Sequence, residues 1–317
     1  MKVLFAGSFN PFTIGHYSIF TRACKLFGDK NVFIGVAPNV EKNSCSLERL
    51  RWTINPLSEN VVVIPEKVLT ADFCAENGIS YLVRSMRNAT DFDYEMKLAA
   101  WNREFGIETV FIPGEKSYEN ISSLSVRTLT QFGKSIAKYL PELVCNRWIS
   151  KPKRIIATGF IGAGKSSYIN AFFRGKHNCI DMDEVAKKCL SVDMRNSIKS
   201  QITSSKLDSA CFNAAGQILY DEILKMPKNS IIEASALGTY ARYNAAIRKL
   251  YDDSVIIHVD KFHSDKDREI DEGFMKSVLA IQERPSVVDF TIDTRSQSIM
   301  EIEGINAKAL SLLQSET

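Results

Sequence analysis

Apolar, β-branched runs recur along the first half of the chain: KVLFA (2–6), VFIGVA (32–37), VVVIP (61–65), YLVR (81–84) and TVFIP (109–113). Such continuous runs suit strands buried on both faces of a parallel sheet. Between them the apolar period becomes that of a helix, as in Ile19, Phe20, Ala23, Leu26 and Phe27, and again in Tyr94, Leu98, Trp101 and Phe105. The alternation restarts with RIIATG (154–159), a glycine-rich loop, a helix from about Lys165, NCIDMD (178–183), SIIEAS (230–235) and SVIIHVD (254–260). Strands alternating with helices in two blocks predict an α/β protein with two parallel-sheet domains in tandem. Between the blocks, LPELVCNRWISKPKR carries Pro141, Pro152 and a basic cluster, so the expected domains are residues 1–148 and 152–317.

Composition narrows the class. A chain of 317 residues is long for one core and comfortable for two, and 45% hydrophobic with 24% charged residues is ordinary for a globular protein. No apolar stretch approaches the roughly 20 residues that span a bilayer. The first residues enter a strand pattern without a basic region and cleavage site, so a cytoplasmic protein with no membrane association is expected. Seven cysteines without a CxxC pair or a zinc-like His/Cys cluster predict reduced thiols. With 40 basic and 37 acidic residues, a net charge of +3 gives no broad field for nucleic acid, and basic side chains must act locally.

The strongest chemical signal is the second glycine loop. Gly159, Gly164, Lys165 and Ser166 fit G-x-x-x-x-G-K-S between a strand and a helix, the context of a P-loop. Glycines let backbone N–H groups curl around phosphate, the helix N-terminus adds positive potential, Lys165 neutralises the outer phosphates and Ser166 can ligate Mg²⁺. Nearby, Asp181 and Asp183 occupy alternate positions that would share a sheet face if extended. Either a carboxylate that orients or deprotonates an acceptor hydroxyl, or a capping pair for the next helix, satisfies that pattern.

The first glycine loop, GSFNPFTIGH (7–16), ends a strand and opens a helix at His16. In open α/β folds ligands bind at that edge, and a ring at a helix start can face the same anion as the free N–H groups of the first turn. A cap or surface histidine would look the same. Arg84 and Arg87 follow another strand, with Asp91 and Glu95 beyond. The guanidinium groups can clamp phosphate, and Glu95 can accept from ribose hydroxyls or from an arginine; a surface ion-pair patch is the alternative. Ser122, Ser123, Ser125 and Arg127 cluster at a later helix start, where N-capping accounts for one serine and an anion site for several.

GSFNPFTIGH, LVRSMRNATDFDYEMKLA, ETVFIP and ISSLSVR, in that order, resemble the phosphopantetheine adenylyltransferases across residues 1–145. The T-x-G-H element marks only the nucleotidyltransferase superfamily; the R-x-x-R-x-x-x-D-F-x-Y-E block is more specific. The resemblance implies a Rossmann-like nucleotidyltransferase fold in which His16 stabilises the transition state on the ATP phosphates. It implies that Lys42 and Arg84 hold the phosphate of 4′-phosphopantetheine, with Thr70 near the pantetheine arm. Ser8 and Phe9 would contact nucleotide and substrate, while Ser85, Met86, Arg87, Glu95 and the stretch from Tyr118 through Ser122 and Ser123 to Leu124 would bind ATP. Departures are Asn10 for the usual Asp, Ser85 for the usual Gly, and Leu124 within the serine triplet.

The second block resembles dephospho-coenzyme A kinase through IIATGFIGAGKSS, CIDMD and QERPSVVDFTIDT. That likeness implies a P-loop kinase fold, Gly162, Ala163, Gly164, Lys165, Ser166 and Ser167 as ATP cradle, Asp183 as general base, Mg²⁺ on Ser166, and Arg268 or Arg284 as a lid arginine. It departs in a reduced acceptor-gripping region over residues 190–225. The tandem then makes consecutive steps of coenzyme A synthesis, on ATP, 4′-phosphopantetheine and dephospho-coenzyme A, in a homo-oligomer. Two alternatives stand beside it: a nicotinamide-nucleotide adenylyltransferase fused to a ribosylnicotinamide kinase, and an active adenylyltransferase with a nucleotide-sensing P-loop unit.

Overall fold

The apolar runs form two five-stranded sheets, each parallel throughout, in the computed structural model. The structure describes residues 1–38, 46–87, 89–150, 152–160, 162–204, 206–234, 237–262 and 288–314. Lys42, Arg268 and Arg284 lie outside the described residues. The chain divides into two compact units, Met1–Ile149 and Ser150–Glu316.

In the first unit the strands are β1 (Lys2–Gly7), β2 (Val32–Val36), β3 (Val61–Val63), β4 (Ile79–Met86) and β5 (Glu108–Pro113), in the order β3-β2-β1-β4-β5. The described helices are α1 (Ile14–Phe27), α2 (Leu47–Ile54), α3 (Thr70–Glu76), α4 (Ala89–Glu104), α5 (Ser123–Gln131) and α6 (Glu142–Ile149). Both faces of β1 are buried: Val3 and Phe5 pack with Ile19, Phe20 and Ala23 of α1, and Leu4 and Ala6 pack with Ile64, Ala71 and Leu82. Because β2 and β4 flank β1 on opposite sides, the strand order reverses there and opens a crevice beyond the strand ends.

Helix α4 forms where the period predicts it, but the opposite face turns inward. Tyr94 and Trp101 are 62% and 61% exposed, whereas Glu95 is only 8% exposed. Carboxylates lead the inward row because β4 and the residue after it present arginines: Glu95 bonds Arg84 of β4, and Asp91 bonds Arg87 just beyond the strand. Leu26 of α1 likewise leaves its expected stripe and faces solvent.

The second unit contains β6 (Arg154–Thr158), β7 (Cys179–Asp181), β8 (Ile231–Glu233), β9 (Ser254–Lys261) and β10 (Phe290–Asp293), ordered β10-β9-β6-β8-β7. The first strand is again central, flanked by β8 and β9. Described helices are α7 (Lys165–Phe172), α8 (Met182–Cys189), α9 (Val192–Ser204), α10 (Ser209–Lys225), α11 (Leu237–Tyr243), α12 (Ala245–Asp252) and α13 (Ile299–Gln314). Residues 190–225 supply α9 and α10, whose Ile198, Phe212, Ala215, Leu219 and Ile223 enter the core with Ile156 and Ile232. The edge strand β10 is an addition to the predicted set. It pairs with β9 in parallel, and the Ile256 N–H donates to the Asp289 carboxylate at 2.8 Å just before it.

Among the described residues, Cys24, Cys74, Cys145, Cys179, Cys189 and Cys211 are free thiols. Among them, too, no helix is long and apolar enough to cross a membrane.

Candidate functional sites

The turn after β1 is built from aromatic side chains. Phe9 adopts a positive φ of 42°, and its buried ring lies 5.1 Å from Phe5, 5.0 Å from Phe12 and 5.1 Å from the His16 ring, centroid to centroid. Gly7 makes room for it, since a Cβ there would meet the Phe9 ring at 2.8 Å. Thr13 then caps α1 in a reciprocal box: its Oγ1 accepts from the His16 N–H, and its own N–H donates to His16 Nδ1 at 2.9 Å. Because Nδ1 accepts, the ring proton is assigned to Nε2, which becomes a donor.

A cavity of about 400 Å³ opens beyond the ends of β1, β4 and β5. Ser8, Phe9, His16, Arg84, Ser85, Arg87, Glu95, Tyr118, Ser122 and Ser123 all line it, so ten of the expected contacts converge. Thr70, first residue of α3, and Met86, whose carbonyl accepts from the Gly114 N–H, do not line it. The N-termini of α1 and α5 both border the cavity, and neither carries an acidic residue in its first turn, so their positive ends remain uncompensated.

The arginines at this edge and the serines at the start of α5 have protein partners. Arg84 is held by Glu95 at 2.8 and 2.6 Å and by the Ala6 carbonyl at 3.0 Å. Arg87 meets Asp91 at 2.9 Å. Ser122 caps α5, Ser125 reciprocates, and Ser123 donates to the Pro11 carbonyl at 2.9 Å. The run of serines is thus accounted for by structure: one cap, its box partner, and a tether to the first turn. Arg127 adds a second tether, donating to the Asn10 carbonyl.

The turn after β6 works through its backbone. Gly159, Gly162 and Gly164 have φ of 151°, 80° and 87°, and a Cβ on Gly159 or Gly164 would lie 2.3 Å from the Val259 carbonyl oxygen or 2.2 Å from that of Phe262. Gly164 caps α7 in the left-handed region, leaving the N–H groups of Gly164 to Ser167 around the helix start, while the Ala163 N–H donates to the Phe160 carbonyl at 3.1 Å. Lys165 is 5% exposed, and its Nζ donates to the Phe160 carbonyl at 2.8 Å. Burial lowers its pKa, opposed by the Glu233 and Asp183 carboxylates.

Asp181 and Asp183 do not share a strand face. Asp181 ends β7 and caps α8, accepting from the Asp183 N–H at 2.8 Å, while Asp183 sits in the first helical turn. The short polar side chain at a strand end finds the unpaired helix donors, which ends the strand two residues before the alternation could reach Asp183. Asp183 is raised by burial and then by Asp181, against the pull of Lys165.

The sequence reading passed over Glu233. It ends β8 beside Ala157 of β6, is 8% exposed, and accepts from the Ser166 hydroxyl through Oε1, while Oε2 is buried without a hydrogen-bond partner. Burial raises its pKa, with Ser166 and Lys165 opposing. A carboxylate oxygen left bare beside a P-loop serine is a donor set that suits a hard divalent cation. Among the described residues no three His, Cys, Asp or Glu side chains could hold a metal together, so phosphate or water oxygens would complete such a shell. An acid closing an apolar strand next to the P-loop strand is the sequence signal that could have found it.

Residues 4–129 match the cytidylyltransferase-like family model. The chain is 37% identical over 150 residues to a phosphopantetheine adenylyltransferase of Streptococcus agalactiae, covering 45% of this chain and 92% of that protein. It is 36% identical over 149 residues to one of Cutibacterium acnes, covering 45% and 94%, and 33% identical over 150 residues to one of Pseudarthrobacter chlorophenolicus, covering 45% and 89%. Among solved structures, a shikimate kinase from Acinetobacter baumannii aligns with 54% of this chain and 99% of its own at a TM-score of 0.34 and 14% identity. Nearly whole enzymes are thus matched at a third or more identity by the unit whose cavity joins His16 to Arg84 and Arg87: the chain belongs to the phosphopantetheine adenylyltransferase family.

Proposed function

We propose that the first unit transfers the adenylyl group of ATP to 4′-phosphopantetheine, giving dephospho-coenzyme A and pyrophosphate, and that the second phosphorylates dephospho-coenzyme A with another ATP. The observation that carries the first step is the His16 ring, its Nδ1 tied to Thr13, lining the same cavity as Arg84, Arg87 and two helix N-termini. A phosphate oxygen of the acceptor attacks the α-phosphorus of ATP, the bond to the β-phosphate oxygen breaks, and pyrophosphate leaves. Negative charge grows on the α-phosphate oxygens and the leaving group. His16 Nε2–H, Arg87 and the helix ends neutralise it without a covalent enzyme intermediate. Arg84, with Lys42, holds the acceptor phosphate; Ser8, Phe9, Ser85, Tyr118, Ser122 and Ser123 enclose the nucleotide.

In the second unit the backbone from Gly162 to Ser167 cradles the phosphates and Lys165 neutralises them. Asp183 takes the proton of the ribose hydroxyl as that oxygen attacks the γ-phosphorus and ADP departs. Its raised pKa suits a base that must receive a proton. Ser166 and Glu233 would hold Mg²⁺, which supplies charge neutralisation at the phosphates. The substrates are small molecules, with no nucleic acid or membrane.

Incubation with 4′-phosphopantetheine and Mg-ATP, followed by mass, should give dephospho-coenzyme A first and coenzyme A second. His16→Ala should slow the first step by about 10²–10³-fold, and Lys165→Ala should stop the sequence at dephospho-coenzyme A. Adenylylation of nicotinamide mononucleotide in place of 4′-phosphopantetheine would overturn the first assignment. A chain that binds ATP at Lys165 yet never yields coenzyme A would make the second unit a nucleotide sensor.

A further inference from the structure

A guanidinium carries five N–H donors. On Arg84, Glu95 takes two of them, from Nε at 2.8 Å and Nη2 at 2.6 Å, and the Ala6 carbonyl takes one from Nη1 at 3.0 Å. Two donors remain, one on each terminal nitrogen, the pair able to meet two oxygens of one phosphate. Arg84 lines the cavity with its side chain 26% exposed, while Glu95 stands at 11% with both oxygens engaged by the arginine. A carboxylate so enclosed is tolerated because its partner satisfies it. Ala6 belongs to β1 and Glu95 to α4, so two elements fix one guanidinium from two sides.

We propose that Glu95 is a positioning residue that acts through Arg84, orienting its terminal fork toward the acceptor's phosphate. This rests on the reading that Arg84 binds the 4′-phosphate. The carboxylate also repels a docked phosphate, but that repulsion crosses a solvent-open cavity and is screened, whereas a misaligned fork forfeits both short hydrogen bonds.

The test is equilibrium binding of 4′-phosphopantetheine to the full chain for Glu95→Gln, Arg84→Ala and the double variant. Glu95→Gln is expected to weaken 4′-phosphopantetheine by about tenfold, the loss of one charge-assisted hydrogen bond's worth of orientation. A cooperative melting transition retained by each variant reports an intact fold. In the Arg84→Ala background, Glu95→Gln should add nothing. Pantetheine, which lacks the phosphate, should bind all variants alike. Unchanged 4′-phosphopantetheine binding in Glu95→Gln, or effects of the two substitutions that simply multiply, would overturn the proposal. If Arg84→Ala leaves 4′-phosphopantetheine binding intact, the underlying assignment of Arg84 falls, and the role given to Glu95 falls with it.

Discussion

The turn after β1 is held by its side chains, and the turn after β6 by its backbone. In the first, Phe5, Phe9, Phe12 and the Thr13 cap clamp a single imidazole, and Arg127 and Ser123 tie down the Asn10 and Pro11 carbonyls. In the second, positive-φ glycines press against the carbonyls of Val259 and Phe262, and the N–H groups that follow ring the start of α7. Both follow the central strand of a parallel sheet, where the strand order reverses. One strand-end position is therefore built in two ways. A side-chain donor can be aimed at one atom of a reacting phosphate, while a ring of amides wraps several oxygens at once.

Substitution of the glycines should expose this difference most strongly. Gly164→Ala forces a Cβ against the Phe262 carbonyl at φ 87°, with backbone that cannot step aside. It should destabilise the second unit by on the order of 3 kcal/mol in urea titrations and remove nucleotide binding there. Gly7→Ala meets only the Phe9 ring, and should cost about 1 kcal/mol; equal losses at the two positions would erase the contrast.

Thr13→Val comes next. Losing the cap hydroxyl should cost about 1 kcal/mol of stability. The backbone N–H that holds the His16 ring is kept and only the hydroxyl's 3.2 Å contact with Nδ1 is lost, so adenylyl transfer should fall in kcat by only about twofold with the KM for ATP nearly unchanged. A fall in stability alone would reduce the box to a helix cap.

The smallest effect belongs to Glu233. The folded unit raises its carboxyl above 4.5, so it binds that proton more tightly than the unfolded chain does. Its contribution to stability is full below pH 4.5 and is lost as pH rises through the raised value. Glu233→Gln escapes that loss, so the ligand-free protein should melt about 2–4 °C higher near pH 8. The gain should vanish when calorimetry is repeated below pH 4.5. A lower melting temperature at both pH values would mean that the Ser166 contact, rather than cation binding, keeps the carboxylate in place.

Both glycine loops and nine of the ten described strands were legible in the sequence, because glycine spacing and apolar runs are local. What escaped depends on distant partners. Glu233 meets Ser166 across 67 positions, and the apolar run it closes marks a strand but not that partner. The period of Tyr94, Leu98, Trp101 and Phe105 found a helix but not its inward face, which Arg84 and Arg87 decide. Strand β10 is four residues of TID-like alternation at a sheet edge, too short for a pattern to separate from a loop.

The inward polar face of α4 has a thermal consequence. Helix α1 docks through Ile19, Phe20 and Ala23, an attachment that weakens on cooling as apolar hydration becomes less costly. Helix α4 docks at the cavity through carboxylate–guanidinium pairs, which cold does not loosen in that way. Salt acts in the opposite sense. It screens the exposed Arg87–Asp91 pair before the enclosed Arg84–Glu95 pair, so the arginine wall of the cavity yields first to ionic strength, and from its outer end.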